Sequence, residues 1–208
     1  MTASRLLHVE GSPRGARSRT GMVARRLIAG LPSHDFELLD LHKAALPRFE
    51  GETIEGRYAL IAGEQVDPSV KADWDAIAAA TAHFLSFDGW LFTVPMWNFG
   101  IPWRLKQYID VLTHPGLTFT VEDGAVKGLA EGKQAIIIAG GALDIRAGGP
   151  AEALDFQVAY MKAWLGFIGV SDVHVVHVRP TYGTPAEVEA AMQAAYADAD
   201  TLAADLRV

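Results

Sequence analysis

The sequence predicts a doubly wound α/β fold: a three-layer sandwich in which a five-stranded parallel sheet of order 2-1-3-4-5 carries helices on both faces. Three observations predict it. Short apolar runs alternate with longer stretches of helical periodicity, the pattern of repeated βαβ units. The run Trp90 to Val94 is unbroken, as in a strand covered on both faces. Distinctive loops follow the first, third and fourth runs, at the strand ends where open sheets of this kind place ligands.

The elements follow in order. A first strand near Arg5–Val9 begins so close to Met1 that no room is left for a secretory leader. A helix over Arg19–Leu31 carries Met22, Val23, Leu27 and Leu31, and a second strand lies near Phe36–Leu39. Leu46–Val66 has weak periodicity and several glycines, and reads as a surface excursion placed to cover a pocket. A helix over Pro68–Ser86 leads to the third strand, Gly89–Val94. In the next helix, Ile101–Leu112, Pro102 suits the first turn, while Ile101, Leu105, Tyr108, Ile109 and Leu112 share one face. The fourth strand is Gln134–Ala139, the fifth Asp172–Val178, and the last helix, Pro185–Ala204, has the single stripe Val188, Met192, Ala195, Ala199 and Leu202 that docking on a sheet requires. Between the last two strands, a helix over Pro150–Ile168 carries two stripes. One is Leu154, Val158, Met161, Leu165 and Ile168; the other is Phe156, Tyr160 and Trp164. Two apolar faces need two partners. The second is expected to meet a second copy in a homodimer, or the chain's own Leu46–Val66 excursion.

Composition narrows the function. The 208 residues contain no linker-like stretch, which predicts one domain over residues 1–208. A net charge of −7 argues against a nucleic-acid partner and directs attention to a small molecule. No cysteine is present, so disulfides, thiolate catalysis and cysteine-held clusters are excluded. No apolar run is long enough to span a bilayer, and a cytoplasmic protein without a membrane partner is expected.

The loop after the first strand, Gly11 to Thr20, reads G-S-P-R-G-A-R-S-R-T and opens into a helix. Free amides and the positive dipole end at such a start suit a phosphate, with Ser18 as cap and Ser12, Ser18 and Thr20 as hydroxyl donors. Arg17 and Arg19 oppose the dipole by roughly 0.3–1 kcal/mol each, an opposition that a bound anion reverses. The alternative is an ordinary cap with arginines in water. After the third strand, Pro95 to Gly100 reads P-M-W-N-F-G and offers Trp97, Asn98 and Phe99 on the same rim, either as a tight connection or as a shelf for a planar ligand. After the fourth, Gly140-Gly141-Ala142-Leu143 permits close backbone approach to a flat ring, or forms a flexible turn.

Other chemistries fit poorly. Gly11–Gly15 does not make a dinucleotide fingerprint, and Gly128–Gln134 has a shortened Walker spacer without its hydroxyl. There is no G-x-S-x-G elbow. His8, His34, His42, His83, His114, His174 and His177 offer no pair at ligand spacing on one helix face, so no metal site is expected. His114 is expected in a surface loop, with a position reaching the rim as the alternative.

Taken together, Pro95–Gly100 with Leu105–Asp110 (L-K-Q-Y-I-D), the preceding Ser12-Pro-Arg-Gly…Ser18-x-Thr20 and the following Leu165-Gly-Phe-Ile-Gly169 resemble the FMN-dependent NADH azoreductases, a flavodoxin-like NAD(P)H:quinone oxidoreductase family. The resemblance covers nearly the whole chain. It implies FMN as cofactor, with its phosphate at Ser12, Ser18, Arg19 and Thr20. It places the ring against the loop Pro95, Met96, Trp97, Asn98 and Phe99 and against Gly140, Gly141, Ala142 and Leu143. It further implies NADH or NADPH as electron donor, a quinone or azo substrate, two-electron hydride transfer in a ping-pong cycle, and a homodimer with the flavin at the interface. The Trp97–Phe99 amides and the Asn98 side chain are then expected to hydrogen-bond the ring edge. No catalytic acid or base is required. The family often has Tyr at Trp97 and a Ser/Arg-Gly-Gly pattern at Gly140-Gly141-Ala142, departures that bear on potential and acceptor choice. The competing classes are a flavodoxin-type electron carrier, a non-catalytic flavin-binding module and a phosphate-binding regulatory module.

Overall fold

The structure, a computed structural model, describes residues 4–145, 148–149 and 151–206. Along the chain run β1 (Ser4–Glu10), α1 (Arg19–Ala29), β2 (His34–Asp40), α2 (Glu52–Ile61), α3 (Pro68–Leu85), β3 (Gly89–Pro95), α4 (Trp103–Leu112), β4 (Phe119–Glu122), β5 (Ala125–Gly128), β6 (Gln134–Gly140), α5 (Phe156–Phe167), β7 (Asp172–Val178) and α6 (Pro185–Asp205). The main sheet has the order β2-β1-β3-β6-β7, all parallel, which is the flavodoxin-like 2-1-3-4-5 arrangement.

Alternation along the strands explains the three layers. Trp90 and Phe92 face one side with Phe84, Tyr108 and Leu165 of α3, α4 and α5, while Leu91 faces the other with Val23 and Leu27 of α1 and Ala195 and Ala199 of α6. α6 begins in a full capping box between Thr184 and Glu187, with Pro185 in its first turn.

Several expectations need correction. The segment 46–66 contains α2, which packs on α3: Gly56 sits so close to Val70 that a Cβ would lie 2.3 Å from its Cγ1, and Trp74 Nε1 donates to the Thr53 carbonyl at 2.7 Å. None of the segment's residues lines the strand-end cleft of its own chain. The helix expected from Pro150 begins at Phe156, capped by Asp155, after a short 3-10 turn at Glu152–Leu154; Pro150 itself and Ala147 lie outside the described residues. The second stripe divides. Trp164 is buried and donates to Thr113 Oγ1 at 3.0 Å, whereas Phe156 is 60% exposed.

A hairpin, β4–β5, was not expected. Asp123 and Gly124 both have positive φ, at 52° and 79°, as a two-residue type I′ turn requires. Its last residue, Gly128, lies backbone to backbone on Gly169, whose φ is 100°. This contact gives the L-G-F-I-G motif its physical reason.

His114 lies neither at the rim nor in a surface loop. It is buried edge-on between Phe49 and Trp74, at 4.9 and 4.8 Å between ring centroids. Burial, reinforced by Arg57, lowers its pKa to about 4, against the opposing pull of Asp110. Burial, with Arg25 second, lowers that of His8 to about 4 as well. Both imidazoles are neutral when folded and take up a proton near pH 6.5 when unfolded. Stability is therefore complete above pH 6.5 and falls between there and pH 4, by roughly 3 kcal/mol per group. Urea midpoints at pH 7.5 and 4.5 are expected to differ accordingly; a flat profile over this window would contradict it.

Candidate functional site

The loops after β1, β3 and β6 meet at the carboxyl edge of the sheet, beside its topological switch point. Between them lies a solvent-open cleft with about 550 Å³ of empty space. Of the residues expected from sequence, Ser12, Ser18, Arg19, Thr20, Pro95, Met96, Trp97, Gly140, Gly141 and Ala142 line it. Asn98, Phe99 and Leu143 do not; they stand exposed beside it. Arg14 and Thr181 complete the lining and escaped the sequence reading.

The first wall is built at the start of α1. Gly15–Arg17 forms a 3-10 turn, and Ser18 then caps α1, its Oγ accepting from the Gly21 amide at 3.1 Å and lying 3.0 Å from Thr20 Oγ1. Ser12, Ser18 and Thr20 are all buried. Among the described residues the amides of Arg19 and Thr20 have no partner, as the first turn of a helix dictates. Hydroxyls, free amides and the helix dipole thus converge on one spot. Arg19 lines the cleft, its guanidinium steadied by one donation, through Nη1, to the Thr181 carbonyl, with its remaining donors directed to no other described partner. Arg14 is a second cation in the lining. Beneath, Glu10 is buried; burial and Asp40 raise its carboxyl pKa against Lys43, Arg25 and His42.

The second wall is a strained turn. Trp97 and Gly100 exchange two backbone hydrogen bonds of 3.0 Å around Asn98 and Phe99, whose φ values are 47° and 71°. Asn tolerates this region; a left-handed Phe costs about 1–2 kcal/mol. The turn is held from outside, since the Phe99 carbonyl accepts from Phe156 at the start of α5 (3.1 Å) and Met96 donates to the Gly140 carbonyl (2.6 Å). Because the Trp97 amide is used by Gly100, only the Asn98 and Phe99 amides remain of the three expected donors. Trp97 is partly exposed, and its ring lies 6.5 Å from that of His42, which reaches the Gly11 carbonyl at 3.3 Å.

The third wall requires its glycines. A Cβ on Gly140 would stand 2.6 Å from Thr20 Cγ2, and one on Gly141 3.2 Å from Arg179 Nε. This strand end and the helix start touch. The described lining includes no carboxylate or imidazole, and no cluster of potential metal ligands exists among the described residues. Nor is any described helix long and apolar enough to cross a membrane.

Comparison with known proteins agrees with this architecture. The family described as having a flavodoxin-like fold matches residues 4–203. An FMN-dependent NADH:quinone oxidoreductase 2 of Pseudomonas syringae pv. tomato is 36% identical over 203 residues, covering 96% of this chain and 97% of its own. One from Desulfotalea psychrophila is 35% identical over 208 residues, covering 98% of each. Among solved structures, an FMN-dependent NADH-azoreductase from Bacillus anthracis in complex with FMN superposes with a TM-score of 0.87 over 98% of this chain and 99% of its own, at 19% identity. An azoreductase from another strain of that species gives 0.86 at 24% identity, over 96% and 98% of the two chains. These last two likenesses bear on the fold. With its fold matched over nearly its whole length and its relatives more than one-third identical, the chain belongs to the flavodoxin-like family of FMN-dependent NADH:quinone oxidoreductases.

Proposed function

We propose that the protein is an FMN-dependent oxidoreductase that draws two electrons from NADH or NADPH and reduces quinones or azo compounds in a ping-pong cycle. The observation that carries this reading is the convergence of the three loops on one cleft with an anion cradle at one end and an aromatic shelf at the other. The residues fit FMN. Ser12, Ser18 and Thr20 hydroxyls, the Arg19 and Thr20 amides and the Arg14 guanidinium suit the phosphate. Met96 and Trp97 supply a wall for the ring, and Gly140–Ala142 let the backbone approach it. When bound, FMN supplies the hydride acceptor and donor that the side chains lack.

The chain's own part is to bind and orient. Ser18 already accepts from Gly21, so its hydroxyl proton is free to turn toward an anion or Thr20. Asn98 and Phe99 amides, fixed by the left-handed turn, offer hydrogen bonds to a polar ring edge. With no imidazole or carboxylate in the described lining, water is the proton source. A double-reciprocal analysis of NADH oxidation at several fixed quinone concentrations is expected to give parallel lines. Intersecting lines would overturn the ping-pong assignment.

The same reading includes a homodimer. Ile101, Lys106, Phe156, Ala159, Tyr160 and Ala163 form an almost wholly apolar groove that adjoins the shelf through the Phe156–Phe99 hydrogen bond. Exposed apolar surface of this kind favours a second copy. Analytical ultracentrifugation at micromolar protein is expected to give a dimer mass for wild type and a monomer mass for Phe156→Glu. A monomeric wild type would sink the dimer.

A further inference from the structure

The three rim loops are not held only by the strands that precede them. Behind the cleft, the first turn of α5 carries Gln157, which is fully buried. Its Nε2 donates to the carbonyls of Val94 at 2.7 Å and Gly140 at 3.2 Å, the residues from which the aromatic shelf and the glycine wall depart. Its Oε1 accepts from Arg179 Nη2 at 2.6 Å. That guanidinium, with a side chain only 3% exposed, also donates through Nη1 to Asp155 Oδ2 at 2.8 Å and to the Ile145 carbonyl at 2.6 Å, beyond the glycine wall. Asp155 in turn caps α5 by accepting from the Val158 amide. Burial alone would raise the Asp155 pKa; its bonds to Arg179 and Val158 outweigh this and hold it below the ordinary carboxylate value.

We propose that Gln157 and Arg179 are positioning residues of the flavin site: they fix the mutual placement of the shelf and the glycine wall by tying both departing carbonyls to one buried guanidinium. The inference rests on the flavin reading given above. An amide bridging two neighbouring strand ends adds little to a sheet whose ladder already pairs Pro95 with Gly140. What it adds is a fixed gap where the strands stop. The bridge has polarity: only a donor satisfies two carbonyl oxygens, and only an acceptor satisfies Arg179. Glutamate at position 157 keeps the second contact and reverses the first, whereas lysine at position 179 keeps the charge and loses the fork that reaches Asp155, Ile145 and Gln157 together.

The test uses Gln157→Glu and Arg179→Lys in the full chain, with circular dichroism to confirm folding, FMN affinity by quenching of flavin fluorescence, and the flavin midpoint potential and visible band shape at saturating FMN. Wild type is expected to bind FMN. Both variants are expected to bind it about ten-fold more weakly or worse, with a displaced potential and an altered band. A lowered melting temperature with unchanged affinity, potential and band would make the network merely structural and overturn the inference. Should either variant fail to fold, Gln157→Met, which keeps the volume and removes the donors, provides the same readouts. Failure of wild type to bind FMN would instead overturn the flavin reading, and this inference with it.

Discussion

Gly140→Val is expected to weaken FMN binding about a hundred-fold, near 2.7 kcal/mol, while leaving a folded protein. The reason is local. Gly140 ends β6 with its α-carbon facing the first turn of α1, where even a Cβ would come within 2.6 Å of Thr20 Cγ2. The strand cannot retreat, because Gly140 is in register with Pro95 on one side and Val178 on the other, and its carbonyl holds Met96. The displacement therefore falls on Thr20 and the α1 start, which together form the anion cradle. Overpacking of this kind also lowers stability by about 1–3 kcal/mol. Flavin fluorescence quenching measures the affinity and urea denaturation the stability. Unchanged affinity would show that the cradle does not hold the cofactor.

Gly128→Ala is expected to be the more damaging change to the fold. Its Cβ would lie 2.1 Å from the Gly169 nitrogen and from the Ile168 carbonyl carbon, which are backbone atoms that cannot swing aside. Both sides are fastened: Ala130 donates to the Ile168 carbonyl at 2.8 Å and Val170 to that of Leu165 at 2.9 Å. Separating them detaches the hairpin from the end of α5. A loss of about 3 kcal/mol or more corresponds to a fall in Tm of about 6–12 °C for a chain of this size. Calorimetry checks it. A variant melting within a degree or two of wild type would mean that the two backbones do not touch in solution.

These contacts indicate what the sequence could and could not disclose. The sheet and its order were legible because burial on both faces leaves runs such as Trp90–Val94, and because Ser18 and Pro185 mark helix starts with recognised chemistry. The three loops were legible as a group because they follow β1, β3 and β6, which lie side by side in the predicted sheet order and end on one edge. The β4–β5 hairpin carries a short-range signal, Asp123-Gly124 between alternating residues, although its strands are only four residues each. The helix α2 was hidden because it exposes Ile54, Tyr58 and Ile61 and docks through Thr53 and a glycine rather than an apolar stripe. Arg14 stands inside the Gly11–Thr20 loop, among the residues that mark it as an anion site, whereas Thr181 and the Gln157–Arg179 bridge could not be read at all. They belong to the site by tertiary approach, Thr181 from beyond β7, with no local pattern to announce them.

The cleft is expected to hold a flavin that exchanges electrons with a nicotinamide donor and a quinone. The most direct test is the visible spectrum of the FMN-reconstituted protein under anaerobic conditions, before and after one equivalent of NADH and again after a quinone is added. The protein is expected to be yellow, with a flavin band that bleaches with NADH and returns with quinone. A colourless protein, or flavin bands unchanged by both NADH and NADPH, would contradict that expectation.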